Sequence, residues 1–251
     1  MFTSDYWDKR VEKNGHTGHS EPFYYCFDQQ ARIYAIESLL NSFKTNLTSV
    51  LDFGCGSGDF LELLSNYSKK VYGFDPSKKV VALAQKKHQG KEIIITSQLN
   101  DCILTSGFNC ILTVTVLQSL SLPELTETLP KLLSLLSNEG KLICMEFFVS
   151  DDYQLQNNEL KTSERDWKNL LEKNKIDIKS KSGFYNPHLF PSKSWKLYNS
   201  GFTALLLKPF KKFSFAQKSL TKRAKKLIWQ EKDVYPFPSS SFKIYVLEKS
   251  R

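Results

Sequence analysis

From residue 49 onward, short apolar runs rich in β-branched and aromatic side chains alternate with stretches whose apolar positions recur every three or four residues. Short apolar runs bounded by turn formers read as strands, and a 3.6-residue spacing reads as a helix burying one face. Strands are predicted on this basis at 50–53, 71–74, 92–96, 110–114 and 141–147, with helices at 60–67, 77–88 and 124–136. Pro123 stands at the first turn of the last helix, where its missing N–H costs nothing, and Ser137-Asn138-Glu139-Gly140 reads as the turn into the next strand. Ahead of the first strand, Ala31, Ile33, Ala35, Ile36, Leu39 and Leu40 share a stripe of a helix over 28–43, expected to pack on the sheet. Strands alternating with helices make an α/β fold with a parallel sheet covered on both faces.

The second half is less regular. Residues 149–190 are polar with one helical stretch, 164–173, and read as a cap insertion. A helix over 194–201 closed by Gly201, a strand over 202–207, a helix over 216–230 and a buried strand over 241–248 follow. In the 216–230 helix Ala216, Leu220, Ala224, Leu227 and Ile228 form one face, and Lys218, Lys222, Arg223, Lys225 and Lys226 fall largely elsewhere. The expected organisation is one domain over 1–251, with a leader at 1–27, the cap at 149–190 and a basic helical insertion at 208–240. The leader, with Tyr6-Trp7 and Pro22-Phe23-Tyr24-Tyr25, is too aromatic for a disordered tail.

Composition narrows the class. At 41% hydrophobic and 24% charged residues, the 251-residue chain has the make-up of a folded globular protein rather than a disordered one. No apolar run is long enough to cross a bilayer and residues 1–8 lack a basic segment followed by an apolar one, so a cytoplasmic location is expected. The five cysteines form no Cys-x-x-Cys pair and no histidine lies at zinc-like spacing; they read as reduced thiols, with no metal site. Charge is uneven: residues 1–150 hold 14 basic and 16 acidic side chains and residues 151–251 hold 21 and 10, so the whole +9 excess comes from the second part. That asymmetry points toward an anionic partner and says nothing about the fold.

The chemistry concentrates where the first strand ends, in Val50-Leu51-Asp52-Phe53-Gly54-Cys55-Gly56-Ser57-Gly58. Glycines there let the backbone turn tightly and approach a ligand, and the helix that follows offers free N–H groups. Asp75 ends the second strand, where a carboxylate can accept hydrogen bonds from two ribose hydroxyls. The dinucleotide fingerprint Gly-x-Gly-x-x-Gly requires glycine at position 59, which is Asp59, and does not call for the acidic residue two places before the first glycine.

Leu51-Asp52-Phe53-Gly54-Cys55-Gly56-Ser57-Gly58 resembles motif I of the class I S-adenosylmethionine-dependent methyltransferases, closest to their small-molecule type, and Tyr72-Gly73-Phe74-Asp75-Pro76-Ser77 resembles the family's acidic-ended second strand. The segments 108–120, 132–145 and 195–202 are similar to later parts of that family. The resemblance implies a seven-stranded, mostly parallel, doubly wound Rossmann-like sheet with an antiparallel last strand, and S-adenosyl-L-methionine as cofactor with S-adenosyl-L-homocysteine as product. It implies that Gly54, Cys55, Gly56, Ser57 and Gly58 line the methionine moiety, Asp52 orients its ammonium, Asp75 with Pro76 holds the ribose, Asn100 or Asp101 lies near adenine, and Thr115 and Val116 floor the site. Two positions depart from the family pattern: Asn109 stands where the acidic residue opening strand four is usual, and Ser97-Gln98 follows strand three.

A sulfonium is already an activated methyl donor, so in-line positioning carries most of the catalysis, with a general base only where the acceptor must lose a proton. Candidates for the base are His16, His19, Tyr24 and Tyr25 in the leader and Glu146 at the end of strand five. No Asn/Asp-Pro-Pro-Tyr tetrad follows strand four, where Thr115-Val116-Leu117-Gln118 stands instead, and no Pro-Cys pair occurs; an O, N or C acceptor on a small molecule is the leading reading. RNA or protein methylation through the basic half, and a catalytically silent cofactor-binding or scaffolding role, are the alternatives. Lysine outnumbers arginine in 208–232, so a solvated helix face is preferred there to nucleic-acid binding.

Overall fold

The structure, a computed structural model, describes residues 4–43, 47–103, 107–148, 163–183, 214–230 and 242–249. The predicted helix at 194–201 and strand at 202–207 lie outside them. The chain divides into two compact units, one of residues 1–17, 44–182 and 241–251, the other of residues 18–43 and 183–240.

The first unit is built on a seven-stranded sheet. Its strands are β1 (Ser49–Phe53), β2 (Lys70–Phe74), β3 (Ile93–Thr96), β4 (Phe108–Val114), β5 (Leu136–Phe147), β6 (Ile176–Gly183) and β7 (Phe242–Lys249), in the order β3-β2-β1-β4-β5-β7-β6. β1 to β5 pair in parallel and β7 runs antiparallel to β5, as expected for the fold class. The helices are α1 (Ser4–Asn14), α3 (Leu61–Ser65), α4 (Lys78–Lys87), α5 (Leu99–Ile103), α6 (Leu122–Leu135) and α7 (Glu164–Lys173). One sheet face packs Leu51, Phe53, Ile111, Leu142, Cys144 and Tyr245 against Leu129 and Leu132 of α6 and Trp167 and Leu171 of α7. On the other face Gly73 of β2 leaves room for Leu61 of α3, whose methyls would lie 3.2 Å from a β-carbon there. All five cysteines are buried and free.

Local sequence explains the boundaries. Ser121 and Glu124 form a reciprocal capping box that starts α6 with Pro123 in its first turn. Ser77 caps α4 by accepting from the Val80 N–H at 3.1 Å. Asn109, the departure noted above, sits at the start of β4, where its side-chain oxygen accepts from Thr48 N (2.9 Å) and Ser49 N (3.1 Å). It ties β1 to β4 at the strand ends remote from the glycine turn, so the departure does not touch that turn.

Three readings change. Residues 137–140 belong to β5 rather than to a turn; the register with β4 shifts between Phe108 and Cys110, and Gly140 is required because a β-carbon would fall 2.5 Å from the Phe108 carbonyl oxygen. Within the stretch read as a cap, the helix expected over 164–173 is present as α7, and what was not expected is the strand β6 that follows it. The leader contains a helix, α1, which packs on α4.

In the second unit α2 (Pro22–Ser42) packs against α8 (Ser214–Gln230). α2 begins six residues before the predicted helix, because Glu21 accepts from the Tyr24 N–H (2.9 Å) and Pro22 suits the first turn.

Candidate functional site

The turn after β1 is the chemical centre of the first unit. Gly54, Gly56 and Gly58 all adopt positive φ (77°, 53° and 77°), the region that L side chains avoid. The space beside each is also taken. A β-carbon would lie 2.4 Å from Val116 Cγ2 at Gly54, 2.5 Å from Thr17 Oγ1 at Gly56 and 2.8 Å from His88 Nε2 at Gly58. The turn is pinned to β2 by Gly54 N and Cys55 N, which donate to the Phe74 carbonyl at 2.7 and 2.8 Å. Ser57 Oγ donates to Asp59, which in turn pairs with Lys87 at the end of α4.

Asp75 follows β2 and is buried with both oxygens engaged: Oδ2 accepts from Gly56 N (3.1 Å) and Oδ1 from Ser77 N (3.0 Å). Burial raises its pKa, the two amides oppose that shift, and the nearby Asp8 adds to it. Pro76 is exposed beside it. Asp52 lies 1% exposed, and its Oδ2 has no hydrogen-bond partner among the described residues. Burial, then the Asp59 and Asp75 carboxylates, push the Asp52 pKa up to about 8. A buried carboxyl with an unsatisfied oxygen is costly unless a donor or cation meets it.

At the end of β3, next to Asp75, Thr96 Oγ1 donates to Asp101 Oδ2 at 2.6 Å, while Asp75 N donates to the Thr96 carbonyl. Asn100 and Asp101 are exposed on the first turn of α5. The polar pair Ser97-Gln98 departs from the pattern, and Asp101, held by Thr96, is the first acid that follows the strand in the chain. At the end of β4, Thr115 has φ +55°, uncommon for a β-branched residue, and carries Val116 onto Gly54. The structure thus brings Asp52, Gly54, Gly56, Gly58, Asp75, Asp101, Thr115 and Val116 to the C-terminal ends of β1 to β4.

The base candidates are placed differently. His16 is buried in the first unit, beside Thr17 and its contact with Gly56. In the second unit, His19 is exposed and its Nδ1 accepts from Glu21 N (3.0 Å) in the turn before α2, with the Tyr24 ring at its edge, and Tyr25 lies against Gly18. Glu146 is buried, and its carboxylate gathers the loop after β4: Oε1 accepts from Thr113 Oγ1 (3.0 Å) and Leu117 N (3.3 Å), and Oε2 accepts from Gln118 N (3.2 Å). Gln118 Oε1 accepts from Phe147 N in return at 2.6 Å. This clamp sets the loop that carries Val116.

Burial, opposed by those hydrogen bonds, pushes the Glu146 pKa up to about 7. A carboxyl whose folded pKa exceeds its unfolded value stabilises the fold fully below the unfolded pKa and loses that contribution as pH rises through the folded one. Glu146 should therefore make the protein less stable between about pH 4.5 and 7 as pH rises, a component absent from Glu146→Gln. Glu146→Ala orphans buried donors and should cost about 3 kcal/mol. Urea midpoints of the three proteins at pH 5 and pH 8 measure both effects.

Residues that carry no motif complete the site. His88, at the end of α4, is buried and hydrogen-bonds the Gly58 carbonyl through Nε2 at 2.8 Å; the carbonyl can only accept, so Nε2 carries the proton. Burial lowers its pKa, which favours this neutral form. From α1, Asp8 accepts from the Ser77 hydroxyl and Glu12 pairs with Lys79, while Arg10 Nε donates to the Thr17 carbonyl at 2.8 Å. Only the reach of the glycine turn could have suggested such partners.

Among the described residues no cluster of metal-ligating side chains occurs, and no helix is long and apolar enough to cross a membrane. The profile of the family described as methyltransferase domain matches residues 23–198. No curated protein matches the sequence. Among solved structures, the chain is similar to a SAM-dependent methyltransferase from Leishmania major, at 13% identity over 88% of this chain and 72% of that one, with a TM-score of 0.59. It is also similar to magnesium protoporphyrin IX methyltransferase from Synechocystis PCC 6803 with bound SAM (23% identity, 74% and 87% of the two chains, TM-score 0.55). A third is the methyltransferase in a Haloferax volcanii complex with the Trm112 methyltransferase activator (13%, 99% and 98%, 0.59). At these identities the likeness is one of fold.

Proposed function

The chain belongs to the methyltransferase domain family, and from that premise we propose that it transfers a methyl group from S-adenosyl-L-methionine to an O, N or C atom of a small molecule by in-line displacement. The observation that carries the reading is the buried Asp52 carboxyl, one oxygen of which has no partner among the described residues, at the foot of a turn that three positive-φ glycines fold back on itself. That combination suits a ligand with a cationic group seated close to backbone.

The residues fit the cofactor. Gly54, Gly56 and Gly58 would line its methionine part, Asp52 would meet the ammonium, Asp75 would take the ribose hydroxyls, Asp101 would stand near adenine, and Thr115 and Val116 would form the floor. When bound, the cofactor supplies a methyl group activated by its sulfonium. Thr17 and the α1 contacts to Ser77 and Lys79 would help exclude water from the turn. Glu146 acts as a positioning residue through Leu117 and Gln118 rather than as the base, because its oxygens already serve the loop. The small-molecule acceptor is supported by the absence of the Asn/Asp-Pro-Pro-Tyr tetrad and by a fold neighbour named for methylation of magnesium protoporphyrin IX.

Asp52 provides the test. A ligand ammonium requires the carboxylate, whereas the free protein holds the proton up to about pH 8. Cofactor binding should therefore strengthen as pH rises from 6 to 8 and release a proton, seen in calorimetric titrations run in buffers of different ionisation enthalpy. Asp52→Asn should bind about tenfold or more weakly, in keeping with ~1.5–3 kcal/mol for a hydrogen bond to a charged group, and without proton release. Absence of S-adenosylmethionine binding by the wild-type protein would overturn the proposal.

A further inference from the structure

The basic helix of the second unit has a charged face that contributes no residue to the proposed methyl-donor site. In α8, Leu220, Ala224, Leu227 and Ile228 are each at most 4% exposed, and Thr221 Oγ1 contacts Cys26 of α2. At 3.6 residues per turn, Lys218, Lys222, Lys225 and Lys226 fall within an arc of about 100° centred opposite that buried stripe, and they span ~12 Å of helix. All four are exposed, as is Arg223 on the flank. Residues 214–230 contain no acidic side chain, and none of the ion pairs among the described residues involves these cations.

Lysine-rich composition alone favours a solvated face, but from the one-sided placement of these cations we propose that the stripe is a docking surface for the phosphate backbone of double-helical RNA, engaged without reading sequence. The charge is complementary to a polyanion and is presented along one helix. A bilayer-bound helix inserts its apolar face, and here that face is buried. Single-stranded nucleic acid is held by bases stacked on aromatic rings, and the exposed described positions of this face are lysine, serine and arginine. Lysine acts as a point charge, so the stripe meets phosphates and reads no base edge. An RNA duplex hides its base edges in a deep, narrow groove and offers its phosphates, which matches such a face.

The experiment uses the full chain and a fluorescent 20-base-pair RNA duplex titrated at several salt concentrations. Wild type should bind with a dissociation constant of roughly 10⁻⁴ to 10⁻⁶ M at physiological salt, and log affinity should fall steeply with log salt. Lys218→Ala/Lys222→Ala/Lys225→Ala/Lys226→Ala should bind at least tenfold more weakly and lose about three units of salt slope, while the four arginine replacements retain binding. S-adenosylhomocysteine affinity, unchanged in the alanine variant, shows that it is folded and separates this surface from the methyl-donor site. No RNA binding by wild type, an alanine variant equal to wild type, equal or tighter binding of duplex DNA, or stripe-dependent adsorption only to phosphatidylserine vesicles would each overturn the proposal.

Discussion

Asp75→Ala is expected to weaken S-adenosylmethionine binding by at least about 100-fold, since two hydrogen bonds to a charged acceptor are worth ~3–6 kcal/mol together and each ~1.4 kcal/mol is a factor of ten. The carboxylate has a second task in the free protein, accepting from Gly56 N and Ser77 N, so its loss also slackens the glycine turn and the start of α4. The two tasks can be separated. Asn keeps a carbonyl oxygen for one amide but turns a donor toward the other, so Asp75→Asn should show intermediate binding. Removing the charge relieves repulsion from Asp8 and toward Asp52, so the loss should be larger in ligand affinity than in thermal stability. Calorimetric titration with S-adenosylhomocysteine beside a thermal melt decides: affinity of Asp75→Ala within threefold of wild type would remove Asp75 from the ribose site.

What was readable in the chain follows from what writes a one-dimensional pattern. The central strands were readable because they are buried on both faces, as in β1, where all five residues are buried. β6 left no such trace: from Asp177 to Lys181 it is exposed, so there was no alternation to read. α1 has no buried residue and is held by Asp8, Glu12 and the α4 side chains they meet, contacts that sequence spacing does not encode. The site divides in the same way. Glycines and acids at strand ends act through backbone geometry and were visible, whereas His88 and Thr17 act by filling space beside Gly58 and Gly56 from distant segments. Glu146 was visible as a buried acid after strand five, but its task, holding the backbone of Leu117 and Gln118, depends on a loop 28 or 29 residues away.

Gly54→Ala is expected to be the most damaging single change in the turn, for two reasons that add. An L residue at φ +77° costs ~1–2 kcal/mol. Its β-carbon would also stand 2.4 and 2.8 Å from the two methyls of Val116, an overpacking that typically costs ~1–3 kcal/mol. Val116 has limited freedom to yield, because the loop beyond it is anchored on Glu146 and Thr115 N is bonded to the Met145 carbonyl. Gly90→Ala isolates the first cost, since Gly90 has φ +81° and nothing within 4 Å of its β-position. Val116→Ala removes the methyls and isolates the second, so Gly54→Ala/Val116→Ala should be more stable than the sum of the two single changes by ~1 kcal/mol or more. Cofactor affinity should fall sharply in Gly54→Ala, stay at the wild-type level in Gly90→Ala and recover in part in the double variant. Urea unfolding of the four proteins tests the contact directly: a Gly54→Ala midpoint no lower than that of Gly90→Ala would mean that Val116 does not press on the turn.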